Sequence, residues 1–175
     1  MEIIYIDSSC ISKDTSKISL SEFEKFIINL HNFNKIGIGT YCMTYKISKE
    51  YVIKYYPYSN NFDIECGDYI PEIKKEIKFI KKYNYLPYIA TSFIVSIYNQ
   101  DIYILQEYLK IPQILNNSIN DFKYTINYFI ELLRINIDLL KYNYLNIDIK
   151  HTNIGYDNQN NLKIFDFNLF FEITN

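Results

Sequence analysis

Two short polar stretches near the end of the chain hold side chains suited to moving a proton and holding charge. The first is Asn146-Ile147-Asp148-Ile149-Lys150-His151-Thr152-Asn153, and the second is Lys163-Ile164-Phe165-Asp166-Phe167-Asn168. A carboxylate such as Asp148 can accept a proton, and an ammonium such as Lys150 can neutralise an anion. The amide oxygen of Asn153 and the carboxylate of Asp166 are hard oxygen donors, the kind small divalent cations take. The plainer alternative is that these residues decorate a polar turn.

More chemistry lies upstream. Gly37 and Gly39 sit in Ile36-Gly37-Ile38-Gly39-Thr40-Tyr41-Cys42-Met43-Thr44. Small residues let backbone amides approach dense negative charge such as a phosphate, although a Gly-x-Gly hairpin is often only a turn. Lys54 follows in the alternating run Val52-Ile53-Lys54. A helix expected over Pro71–Tyr83 turns Ile73, Ile77 and Ile80 inward. Glu76 lies three after Ile73 and four before Ile80, on that same side. An acid on a buried edge needs a cation, because an unpaired buried charge is costly. Lys54 is the natural partner. Glu72 competes, but in the first turn it suits the helix dipole better.

The elements that must position these groups follow from periodicity. Residues 1–20 read as polar and irregular after a short strand-like start. A short helix is expected from a capping box at Ser21 and Glu24 to about His31, with Phe23, Phe26, Ile27 and Leu30 on one face. Strands are expected over Lys35–Thr40, Met43–Ser48 and Tyr51–Tyr56, then a loop over Pro57–Gly67. After the helix at Pro71 come strands Phe93–Tyr98 and Ile102–Tyr108, and a linker near Tyr108–Pro112. A long helix, Asp121–Tyr142, carries Phe122, Ile126, Phe129, Leu133, Ile137 and Leu140 on one stripe. Short strands Leu145–Ile149, Asn153–Tyr156 and Leu162–Phe165 surround the polar turn Asp157–Asn161. This order is an α+β arrangement.

Composition narrows the function classes. A net charge of −2 and a pI near 5.7 argue against a general nucleic-acid binder. No apolar run of about 18 residues is present, so no membrane span is expected. The start, Met1-Glu2-Ile3-Ile4-Tyr5-Ile6-Asp7, lacks the basic region of a signal peptide. Cys10, Cys42 and Cys66 have no metal-site spacing and read as reduced thiols of a cytoplasmic protein. The skew to Ile, Asn, Lys and Tyr fits an AT-rich genome, with a viral source among those open.

From about Lys35 to Leu169 the chain resembles a protein kinase. The resemblance implies ATP and Mg as cofactors and a role for each residue. Gly37 and Gly39 would belong to the Gly-rich loop. Lys54 would hold the α- and β-phosphates, paired with Glu76. Gln106 would stand at the gatekeeper position, and the Glu107 carbonyl and Leu109 amide would meet the adenine edge. Asp148 would be the catalytic base and Lys150 would neutralise the γ-phosphate in flight. Asn153 and Asp166 would bind magnesium. Asp-x-Lys resembles Ser/Thr protein kinases more than tyrosine kinases. The implied fold is α+β and kinase-like: a five-stranded antiparallel N-lobe with one αC-type helix, plus a reduced helical C-lobe. The implied domains are an extension over 1–33, an N-lobe over 34–109 and a truncated C-lobe over 110–175.

The chain also departs from the pattern. Cys42 replaces the third Gly of the loop, Asn146-Ile147 replaces His-Arg, and Asn168 replaces the Gly after Asp166-Phe167. Thr44 and Gly155 stand where apolar residues usually contact adenine. Seven residues follow Asn168, which leaves the activation segment and later helices without room. Three functions follow from this. The first is a minimal ATP- and Mg-dependent phosphotransferase of Ser/Thr protein kinase type. The second is a non-catalytic kinase-like decoy or regulator, and the third a small kinase-fold ATPase in a complex. Expected partners are a protein substrate or regulator, with a partner or self-association covering the long helix and Phe170-Phe171. Nucleic acid and membrane are not expected partners.

Overall fold

The structure, a computed structural model, describes residues 2–5, 18–39, 42–58, 70–111, 119–146, 153–166 and 170–172. The chain forms two compact units, one from residues 1–86 and 90–108, the other from 87–89 and 109–175.

The first unit is built on an antiparallel sheet. Its strands are β1 (Glu2–Tyr5), β2 (Asn34–Ile38), β3 (Met43–Lys46), β4 (Tyr51–Tyr56), β5 (Ser92–Tyr98) and β6 (Asp101–Glu107), in the order β1-β5-β6-β4-β3-β2. The five expected strands are all present, and β1 joins them at the edge by pairing Glu2–Tyr5 with Ile97–Ile94 of β5. The polar stretch was therefore preceded by a working strand. It covers an edge whose open N–H and C=O groups would otherwise attract other chains. The β5–β6 hairpin turns through Asn99 and Gln100, both at positive φ (51° and 72°). That backbone matches the right-handed twist of the flanking strands.

Two helices cover the sheet. Helix α1 is Leu20–Ile28, continued by a 3-10 turn at Leu30–Asn32. Its capping box lies two residues earlier than the spacing suggested. Ser19 caps the helix, its hydroxyl accepts from the Glu22 N–H, and Glu22 Oε2 accepts from the Ser19 N–H at 2.8 Å. The Ser21/Glu24 assignment is corrected because Leu20, an apolar residue, already occupies the first turn. Those Ser19 hydrogen bonds hold the Glu22 carboxyl below its ordinary pKa. Phe23, Ile27 and Leu30 then pack on Tyr51, Ile53, Ile94, Tyr103 and Leu105 of the sheet. Side chains alternate along a strand, so Lys54 and Tyr56 leave β4 on the other face. There they meet α2 (Ile70–Tyr83).

The second unit contains α3 (Ile119–Leu140) and four short strands: β7 (Tyr144–Asn146), β8 (Ile154–Tyr156), β9 (Leu162–Ile164) and β10 (Phe170–Glu172). Strand β7 pairs with β10 and β8 with β9, both antiparallel. The Phe170-Phe171 segment, expected as an exposed or partner-binding end, is thus part of a strand. Helix α3 ends at Leu140, and the turn that follows it includes Asn143, whose φ of 61° is left-handed. Asn tolerates that geometry better than most residues.

The expected stripe of α3 is corrected by the structure. Tyr128, Leu132, Ile135 and Leu139 are buried, whereas Leu133 is 63% exposed and Ile137 59% exposed. Ile126, Phe129, Ile130 and Leu140 are exposed too, and the side chain of Phe122 lies outside the described residues. The helix is apolar on several sides, so periodicity named a real stripe but could not say which stripe faces the core. Neighbouring positions differ by about 100° around a helix, enough to exchange the two. Among the described residues no helix is long and apolar enough to cross a membrane.

Candidate functional site

In the first unit the site begins on the central strand β4. Lys54 Nζ lies 2.8 Å from Glu76 Oε1, and both side chains are almost wholly buried, at 4% and 0% exposure. Glu76 comes from α2, whose neighbours Ile73 and Ile80 are fully buried. The helical spacing that buries those isoleucines carries the carboxylate in with them. Tyr56 completes the arrangement, its hydroxyl donating to Glu76 Oε2 at 2.7 Å. The two carboxylate oxygens thus take separate donors, both from β4. The sequence reading missed Tyr56. The available signal was its place two residues after Lys54, on the same face of one strand.

The strand register lines up further residues with Lys54. Gly37 pairs with Thr44, Thr44 with Lys54, and Lys54 with Ile104. Directly paired residues share a face of a sheet, so Thr44 stands beside Lys54. A Cβ on Gly37 would lie 3.6 Å from Thr44 Cβ, and one on Gly39 would lie 3.5 Å from Cys42 Sγ. Both are ordinary contacts, so crowding does not require either glycine. The Gly39 N–H donates to the Cys42 carbonyl at 2.8 Å, just beyond the paired residues Ile38 and Met43.

Farther along the sheet, Gln106 is buried and its amide nitrogen donates to Ser92 Oγ at 3.2 Å. Ser92 is held in turn by Asn84, which bonds both its N–H and its carbonyl. Glu107 is anchored by both ends: its N–H donates to the Thr91 carbonyl, and its Oε1 accepts from the Thr91 N–H at 2.6 Å. The Tyr108 N–H donates to the Glu50 carbonyl at 2.7 Å.

In the second unit, Asn153 is buried and directly precedes β8. Its carbonyl accepts from the Phe165 N–H at 3.1 Å. That bond ties Phe165, the residue before half-buried Asp166, to Asn153. The β8–β9 turn is organised by Asp157. Its Oδ1 accepts from the N–H groups of Gln159 and Asn161, and its Oδ2 accepts from Asn161 Nδ2 and lies 3.5 Å from Lys163 Nζ. Burial alone would raise the Asp157 pKa, but the donors of Asn161 and Gln159, with Lys163, outweigh it and lower the value. Leu109 also belongs to this unit. Lys110 and Tyr156 exchange two backbone hydrogen bonds of 2.8 Å each, and a Cβ on Gly155 would come within 2.6 Å of Leu109 Cβ. Gly155 is therefore needed for backbone approach, whatever else stands in its place elsewhere.

The structure thus brings Lys54 to Glu76 in one unit, and the Asn153 segment to the Asp166 segment in the other. Asp148 and Lys150 lie outside the described residues. Asn153 and Asp166 present oxygen donors, which suit a hard cation such as Mg. Among the described residues no cluster of three His, Cys, Asp or Glu side chains could hold a metal ion. A metal here would complete its shell with water or phosphate oxygens, as Mg does.

The protein kinase domain family matches residues 30–175. The chain therefore belongs to the protein kinase domain family. Solved structures agree on the fold. A high-resolution structure of WbdD superposes with a TM-score of 0.57 at 16% identity, over 81% of this chain and 34% of that one. A complex of WbdD with the kinase inhibitor LY294002 gives 0.54 at 16% identity, over 78% and 32%. A structure described as the bifunctional kinase-methyltransferase WbdD gives 0.55 at 16% identity, over 79% and 32%. The chain spans about a third of the length of these proteins. No curated protein matches the sequence.

Proposed function

We propose that this protein kinase-family chain uses Mg·ATP to phosphorylate serine or threonine in a protein. One observation carries the reading: the buried Lys54–Glu76 pair at 2.8 Å. Burying two charges is costly, and stability alone would be served as well by apolar side chains of similar volume. Retention of the pair fits a lysine held for phosphate. Asn153 and Asp166 would hold the metal, which supplies charge neutralisation at the phosphates. Asp148 would accept the proton of the attacking hydroxyl, and Lys150 would stabilise the transferring group.

The test is transfer of labelled γ-phosphate from ATP to protein, compared with Asp148→Asn. Labelled Ser or Thr in the wild type, absent from the variant, is the expected result. Bound nucleotide with no transfer to any protein offered would overturn the catalytic reading. The exposed apolar side chains of α3 favour a second reading, a non-catalytic kinase-like regulator. That reading predicts a protein complex unaffected by Asp148→Ala.

A further inference from the structure

We infer that Tyr56 is a positioning residue for phosphate binding, acting through Glu76 on Lys54. The inference rests on the nucleotide reading above and adds a residue to it. Tyr56 is 1% exposed and Glu76 is 0% exposed, so water does not stand in for a missing donor at this carboxylate. Tyr56 OH meets Oε2 at 2.7 Å while Lys54 Nζ meets Oε1 at 2.8 Å. The assignment of one oxygen to each donor has a consequence for Lys54. An ammonium has three N–H donors. Of the Glu76 carboxylate, Oε1 alone takes one of them.

With Oε2 released, the carboxylate can turn both oxygens onto the ammonium. It satisfies its own lost bond that way and draws the charge of Lys54 toward α2. A buried acceptor left without a donor is costly enough to drive such a turn. The two β4 donors also fix the rotation of the carboxylate about its last side-chain bond, which a lone contact from Lys54 would leave open. Both donors come from alternate positions of the same central strand, so their spacing is set by the backbone. An ordinary buried tyrosine needs only a partner for its hydroxyl. Tyr56 shares its partner with Lys54, the lysine assigned above to phosphate.

The test separates phosphate from adenosine. Affinities of the full chain for Mg·ATP and for adenosine are measured by calorimetry, for wild type and Tyr56→Phe, with folding checked by circular dichroism. The expected result is a Mg·ATP dissociation constant about tenfold weaker, about 1.4 kcal/mol, with adenosine affinity unchanged. In a Lys54→Met background, Tyr56→Phe should add nothing further. A purely structural tyrosine would weaken both ligands alike or neither, and either outcome overturns the inference. If Tyr56→Phe melts near the assay temperature, the same comparison in the cold decides it. A wild-type chain that binds neither ligand overturns the nucleotide reading itself, and the role of Tyr56 with it.

Discussion

Lys54 and Glu76 stand 22 positions apart in sequence and 2.8 Å apart in the fold. Removing one partner leaves the other a buried charge without its ion pair. Glu76→Ala should therefore lower unfolding stability by about 3–5 kcal/mol in urea titration. A Lys54→Met, Glu76→Leu double variant should lose much less than the sum of its two single changes. Equal, additive losses would mean that the charges do not depend on each other. Gly155 carries a separate residue-level constraint. A methyl group there collides with Leu109 Cβ and crowds the Lys110 carbonyl, at 2.6 and 3.1 Å. Gly155→Ala should cost about 1–3 kcal/mol, the range for overpacking, and a variant as stable as wild type would contradict this approach. Gly37→Ala and Gly39→Ala meet only ordinary contacts and should be milder in stability.

At the scale of elements, α3 separates its apolar positions into two sets. Leu132→Ala and Leu139→Ala empty the buried face and should cost about 2–5 kcal/mol each. Leu133→Gln and Ile137→Gln sit on the exposed face and should stay within about 0.5 kcal/mol. The reverse ranking in thermal or urea melts would mean that the helix is rotated. The β8–β9 hairpin supplies a pH dependence. The Asp157 pKa is lowered from its ordinary 3.8, so the folded state favours the carboxylate. A lowered native pKa gives stability that is complete above the unfolded value and lost as pH falls through the native one. Acid titration of wild type should therefore show a loss below about pH 4, and Asp157→Asn should flatten that part of the curve while lowering stability near neutrality. An unchanged acid limb in the variant would remove Asp157 from the acid response.

At the scale of the whole molecule, ligand linkage reports whether the proposed groups act together. Mg·ATP at a hundredfold excess over its dissociation constant should add about 2.7 kcal/mol. For a chain of this size that raises the melting midpoint by several degrees. The rise should require magnesium and be lost in Asp166→Asn. A midpoint that does not move with Mg·ATP would remove nucleotide from the account and leave the binding-module reading.

The order of strands and helices was legible from the sequence because alternation and helical spacing are local properties. Kinship was legible because Lys54, Glu76, Asp148, Asn153 and Asp166 fall in one recognisable order. Even the Lys54–Glu76 partnership could be argued, since an acid among inward isoleucines must find a cation. Three things were decided only by tertiary structure. The pairing of β1 with β5 depends on an edge that exists only once the sheet has formed. The buried side of α3 depends on which of two apolar stripes meets its neighbours, and both satisfy the same period. The bond from Tyr56 to Glu76 depends on distance across the strand–helix contact, which strand spacing permits but does not compel. Sequence periodicity says which side chains share a face; only packing says what that face touches.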